Sequence, residues 1–157
     1  MTGMVATQPT VADVMTTDLV TVSDDETVAA VWELLARSRF HHLPVMRGTR
    51  CVGVVDDRAL LRTWTPGSGR TKRIVREVLP PRTVEVEATA TLDQAAEAMR
   101  SYDVDAVPVV GDGRLIGLVT VRDLIDAAYP SGLHALGPRT LPKAANGPSG
   151  QRAQFVR

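Results

Sequence analysis

Thr120 and Asp123 stand three residues apart, where the β-branched run Leu115–Val119 gives way to Leu124, Ile125 and Ala128 at helical spacing. A hydroxyl and a carboxylate placed this way can serve two ends. An ionised carboxylate only accepts hydrogen bonds, so it can hold both hydroxyls of a cis-diol at once. The helix start beside it offers free N–H groups and the positive end of a dipole to a phosphate. Arg122 either adds charge there or points to solvent. The same Thr-x-x-Asp spacing is also a capping box, in which the two side chains satisfy the backbone of the first helical turn. Capping and binding are compatible, and the spacing alone leaves both open.

The elements that must position this pair occur twice. Shifted by 64 positions, Val11–Leu61 lies without a gap on Val75–Ile125. Val20 falls on Val84, Thr27 on Thr91, Pro44-Val45 on Pro108-Val109 and Gly53 on Gly117. Gly and Pro kept in register imply shared backbone geometry, because both set special φ values. The first copy opens with a short helical turn, Val11–Met15, and an extended piece, Leu19–Val22. Ser23 or Asp24 is placed to cap a helix with Val28, Val31, Trp32 and Leu35 inward, matched by Leu92, Ala95, Ala96 and Met99. Strands follow at His42–Met46 and Cys51–Val55, and at Ala106–Val110 and Leu115–Val119. The turn Gly111-Asp112-Gly113 marks a hairpin. Final helices span Asp57–Trp64, with Leu60, Leu61 and Trp64 inward, and Val121–Tyr129, with Leu124, Ile125 and Ala128 inward. Each copy therefore reads strand, helix, strand, strand, helix.

The ends and the joint read differently. Residues 1–10 are small and polar and are expected to be flexible. Residues 65–73 form a Gly/Ser linker running into basic residues, and 130–157 a Pro/Gly/Ala-rich tail without apolar periodicity, expected to be disordered. Eighteen basic and eighteen acidic side chains cancel, so no global field favours nucleic acid or an anionic membrane. Arg70, Lys72, Arg73 and Arg76 form the one strong charge cluster, without the interleaved aromatics that nucleic-acid binding favours. Composition that is 44% hydrophobic but 4% aromatic implies a core of Val, Leu, Ala and Met. The single Cys51 excludes an intrachain disulfide and, aligned with Leu115, reads as a small apolar residue. His41 and His42 are neighbours on a strand and point to opposite faces, so they do not chelate one ion; no metal site is expected. No apolar run reaches membrane-spanning length, and a soluble cytoplasmic protein is expected.

The ungapped duplication, both Pro-Val strands and the run Gly117-Leu118-Val119-Thr120-Val121-Arg122-Asp123 together resemble a tandem pair of cystathionine β-synthase-type (CBS) domains, over Val11 to Tyr129. The resemblance implies an α+β (α/β-like) fold: two pseudo-two-fold-related β-α-β-β-α repeats, 11–64 and 74–129, forming one module. Members bind adenosine-containing ligands such as AMP, ADP, ATP or S-adenosylmethionine and commonly regulate a partner. In the family pattern Thr120 contacts ribose or phosphate oxygen and Asp123 the ribose hydroxyls, with Arg122 alongside.

The resemblance also implies asymmetry. The first copy's run, Gly53-Val54-Val55-Asp56-Asp57-Arg58-Ala59, has Asp56 for the hydroxyl and Ala59 for the carboxylate. Two unit negative charges ~4 Å apart repel by about 1 kcal/mol in water and about 4 at an effective dielectric of 20. The second copy is therefore expected to hold the nucleotide, one per chain. Val84, Val86, Ala106, Val107 and Pro108 are the candidates for an apolar slot for the base. The resemblance thus implies a stand-alone regulatory protein, not an enzyme, with no required cofactor and an adenine nucleotide or S-adenosylmethionine as regulatory ligand. A homodimer and a regulated protein partner are expected. The alternatives are a ligand-free dimerisation or interaction module and, less favoured, a nucleic-acid-binding accessory protein.

Overall fold

The duplicated order is present in the computed structural model, which describes residues 8–63 and 73–129. Trp64, most of the linker with Arg70 and Lys72, the first seven residues and the tail over 130–157 lie outside the described residues. The first half comprises α1 (Val11–Val14), β1 (Val22–Ser23), α2 (Val28–Arg37), β2 (His42–Arg47), β3 (Arg50–Asp56) and α3 (Asp57–Arg62). A single 3-10 turn, Val75–Glu77, takes the place of α1 in the second half. It is followed by β4 (Val86–Glu87), α4 (Leu92–Tyr102), β5 (Ala106–Gly111), β6 (Arg114–Thr120) and α5 (Val121–Ala128).

Each half makes a three-stranded sheet, in the orders β1-β2-β3 and β4-β5-β6. The outer short strand runs parallel to the middle one, Val22 beside Val45 and Val86 beside Val109. The hairpins are antiparallel, with Val45 opposite Gly53 and Val109 opposite Gly117, and both register shifts fall at the same place in the repeat. Asp112 and Gly113 take φ of 51° and 72°, the two left-handed residues that a tight hairpin turn requires.

The long helices start at Thr27 and Thr91, not at Ser23 or Asp24. Thr27 Oγ1 accepts from Ala30 N at 3.2 Å, and Thr91 Oγ1 from Gln94 N at 3.2 Å. The cap must adjoin the first helical residue, and here that is Val28. Ser23 closes β1, and the buried Asp24 carboxylate instead takes Arg47 Nε at 2.7 Å.

Two apolar cores result, and each is completed by the other repeat. Val22, Val28, Val31, Leu35, Leu43, Val45, Val55 and Leu60 enclose Val75. Ala95, Met99, Val107, Val109 and Val119 enclose Val11. The exchange is fixed by paired backbone bonds: Val11 N to Ala90 O at 2.8 Å and Ala12 N to Ala88 O at 3.0 Å, mirrored by Val75 N to Glu26 O and Arg76 N to Asp24 O, both 2.9 Å. The glycines kept in register admit this crossing. A Cβ on Gly117 would lie 2.9 Å from Met15 Cγ, and one on Gly53 3.1 Å from Leu79 Cδ2. Strand β3 packs against β5 and β6, joining the halves.

The helical stripes are narrower than their periodicity implies. Leu60 is buried but Leu61 is 49% exposed. On α5 no residue is buried: Leu124 is half-covered, Ala128 is exposed and Ile125 is 41% exposed. Ala96 on α4 is exposed as well, while Ala95 and Met99 are buried. Helices α4 and α5 each cover their sheet with one flank. Among the described residues nothing packs on the other, so apolar residues there stay in solvent. No helix among the described residues is long and apolar enough to cross a membrane.

Candidate functional site

Strand β6 ends at Thr120, opposite Ala106 of β5, and the chain turns directly into α5. Thr120 has extended backbone, φ −117° and ψ 162°, as a helix N-cap requires. Its Oγ1 accepts from Asp123 N at 3.3 Å and donates to Asp123 Oδ2 at 2.7 Å. Asp123 Oδ2 also takes Thr120 N at 2.7 Å. The pair is thus a closed capping box. Its remaining capacity is acceptor capacity, chiefly Asp123 Oδ1, because the hydroxyl proton is already committed. A diol, which brings donors, suits such a pair as it stands. A phosphate would require the Thr120 hydroxyl to turn its proton away from Asp123. The Val121 amide is also engaged, donating to Asp105 O at 2.9 Å.

Thr120 opens on a cleft of about 470 Å³, within the size range of small-ligand sites. One wall is Leu118, Thr120, Val121 and Arg122 of the second repeat. The facing wall comes from the first: Val20 ahead of β1, Phe40 after α2, and Pro44 on β2. Arg39, His41, His42, Asp18 and Asp105 bring polar and charged groups to the same space. Arg122 is exposed, its Nε 3.7 Å from Asp126.

The predicted base-slot residues are not brought to this cleft. Ala106, Val107 and Pro108 are buried within β5, and Val84 and Val86 pack on the second core. None of the five lies among the residues that wall it. Val20, His42 and Pro44, which occupy the corresponding space, are the repeat mates of Val84, Ala106 and Pro108. The cleft draws its two walls from different repeats because the amino-terminal segments cross over. The duplication identifies the mates, but nothing in the order of residues says which copy faces Thr120. Arg39 and Phe40 carry no signal of their own, and His42 stands out in the sequence only as the neighbour of His41.

The first-repeat motif keeps only half of its cap. Asp56 Oδ1 accepts from Ala59 N at 2.6 Å, and Ala59 has no side chain to return the bond. Arg58, the mate of Arg122, is committed across the halves, Nη1 to Asp105 Oδ2 at 2.8 Å. Beside it, burial pushes the His42 imidazole below its usual pKa, opposed by the carboxylates of Asp56 and Asp105. In the basic cluster, Arg73 Nε lies 3.5 Å from Glu77.

Comparison with known proteins bears on this geometry. The family profile described as "CBS domain" matches residues 11–64 and 75–129. The CBS domain-containing protein YhcV of Bacillus subtilis is 30% identical over 116 residues, 73% of this chain and 81% of YhcV. The magnesium transporter MgtE of Thermus thermophilus is 30% identical over 152 residues, 90% of this chain; the chain spans only 32% of that relative's length. Among solved structures, CBSX2 in complex with AMP superposes with a TM-score of 0.64 at 29% identity, over 77% of this chain and 96% of CBSX2.

Proposed function

The chain belongs to the CBS domain family, and from that premise we propose that it is a regulatory CBS pair that takes one adenosine-containing ligand in the cleft beneath Thr120. AMP, ADP, ATP and S-adenosylmethionine share the ribose that would meet Thr120 and Asp123, with Arg122 and Arg39 near any phosphate. The apolar wall of Val20, Phe40 and Pro44 would take the base in place of Val84, Val86, Ala106, Val107 and Pro108. One observation carries the reading: Thr120, bonded to the Asp123 carboxylate behind it, stands in the wall of a cleft whose opposite wall belongs to the other repeat, although Asp123 itself is not among the residues that wall it. A ligand held between the repeats binds one relative pose better than another, so it can shift that equilibrium for a partner to read. The AMP complex of CBSX2, at 29% identity, supports the ligand class. In this reading the ligand is a regulator, not a reactant or a required cofactor.

Titration calorimetry with AMP, ADP, ATP and S-adenosylmethionine, on the wild type and on Asp123→Ala, tests it. We expect one ligand per chain and at least tenfold weaker binding by the variant. Equal binding by both proteins would remove Asp123 from the site. No binding of any of the four would refute the ligand reading.

The exposed apolar flank of α4 and α5, where Ile125 is 41% and Tyr129 64% exposed, favours a homodimer as the state in which the module acts. Light scattering on the wild type and on Ile125→Asp measures it. A monomeric wild type would exclude the dimer.

A further inference from the structure

His42, Asp56 and Asp105 come from three places in the chain, and their ligand atoms lie within 4.8 Å of one another. We infer that these three side chains form a site for a borderline first-row divalent cation of the Zn²⁺ class, at the seam between the repeats. The inference is independent of the nucleotide reading.

The backbone arranges the convergence. His42 and Asp56 are direct cross-strand partners in the β2–β3 hairpin, so their side chains share a face at short Cβ separation. Asp105 precedes β5 in the other repeat, and its carbonyl is fixed by the Val121 amide at 2.9 Å. All three positions therefore sit at the ends of regular elements. His41, the neighbour of His42, is exposed and does not join the group.

The donor set selects the class of ion. One imidazole and two carboxylates suit Zn²⁺ and its neighbours, whereas Ca²⁺ and Mg²⁺ prefer shells made wholly of oxygen. Bonds of about 2.0–2.2 Å to a tetrahedral ion need ligand atoms roughly 3.3 Å apart, which side-chain rotation can supply from the present spacing. Three protein ligands leave a fourth position open. Each carboxylate keeps an oxygen outside its present bonds: Asp56 uses Oδ1 for the α3 cap, and Asp105 uses Oδ2 for Arg58. The Arg58–Asp105 pair is the competitor. Its side chains are 67% and 48% exposed, and exposed pairs of this kind hold weakly.

The test uses the full chain, stripped of metal and free of nucleotide, titrated with Co²⁺ by visible absorption and with Zn²⁺ by calorimetry. We expect one saturable site per chain, with the intense visible bands of low-coordinate Co²⁺. His42→Gln and Asp105→Asn should each weaken binding at least tenfold, and Arg58→Ala should tighten it by freeing Asp105. His41→Ala and His134→Ala, which replace the other two histidines of the chain, should bind as wild type. Thermal unfolding verifies that each variant is folded; a failure of His42→Gln to fold leaves Asp105→Asn, on the surface, to decide. The proposal is overturned by absence of saturable binding, or by wild-type affinity in both folded His42→Gln and Asp105→Asn. Loss of the metal in His41→Ala or His134→Ala instead would place it elsewhere. Because no nucleotide is present, none of these outcomes depends on whether the Thr120 cleft binds adenosine.

Discussion

Thr16 and Leu118 exchange both of their backbone hydrogen bonds, each N–H to the other's carbonyl at 2.9 Å, across the boundary between the repeats. Leu118 is two residues from Thr120 on β6, and both Thr16 and Leu118 wall the cleft. The strand that presents Thr120 is therefore held by the other half of the molecule. The mate of Thr16 is Pro80, which has no N–H to give, so the first-repeat cleft cannot be tied in the same way.

Thr16→Pro imposes that condition on the second-repeat cleft. The preceding Met15 is already extended, φ −64° and ψ 150°, the conformation favoured before a proline. What is lost is the bond to the carbonyl of the buried Leu118, at a cost of about 1–3 kcal/mol. Urea denaturation should show this loss, and adenosine-ligand affinity should fall with it. Stability within about 0.5 kcal/mol of wild type would mean that the bridge contributes nothing.

Gly117→Ala should destabilise through Met15. A Cβ there meets Met15 Sδ and Cγ, and overpacking of this kind costs about 1–3 kcal/mol. Shortening the intruder should relieve it, so Gly117→Ala with Met15→Ala should cost less than the two single changes added together. A double-mutant cycle with zero coupling would contradict the contact.

Restoring the missing pair in the first repeat should create a second nucleotide site. Asp56→Thr with Ala59→Asp rebuilds the capping box of Thr120 and Asp123, and removes a carboxylate from where a phosphate would lie. Calorimetric stoichiometry should rise from one ligand per chain to two. An unchanged stoichiometry in a folded variant would show that Asp56 and Ala59 are not what closes that cleft. The same variant should lose Zn²⁺, which separates the two sites.

Cys51 should be silent in the folded protein. It is 5% exposed, and burial raises its pKa above the usual 9.0, with Gly53 O accepting its weak hydrogen bond at 3.4 Å. The unfolded chain therefore gives up this proton first. The associated stability is complete below about pH 9 and is lost as the pH rises through the folded value. Ellman's reagent at pH 8 should react slowly with the native chain and rapidly in denaturant, and Cys51→Val should flatten the alkaline decline in stability. Rapid labelling of the native protein would refute the burial.

The legible parts were those whose cause is local. The Thr120–Asp123 box, the hairpin at Asp112-Gly113 and the burial of Val31, Leu35, Ala95 and Met99 are set by residues within one or two turns of each other. The cap at Thr27 was not legible, because Ser23 and Asp24 are equally good cap residues and only the position of the first helical residue, Val28, decides between them. The exposure of Leu61 and Ile125 was not legible, because periodicity marks an apolar side without saying whether anything covers it.

Spacing and register alone settle the repeated strand–helix order, the loss of the hydroxyl and carboxylate at Asp56 and Ala59, and the capping pair that survives at Thr120 and Asp123. They do so because caps, turns and alternation are set by near neighbours. The folded chain alone settles that Val11 plugs the second core and Val75 the first, that Val20 and Pro44 face Thr120 where Val84 and Pro108 do not, and that His42 meets Asp56 and Asp105. Those pairings join residues far apart in the chain. Two similar repeats can exchange their amino-terminal segments or keep them, with the same local preferences satisfied either way, so the choice rests on packing between the halves.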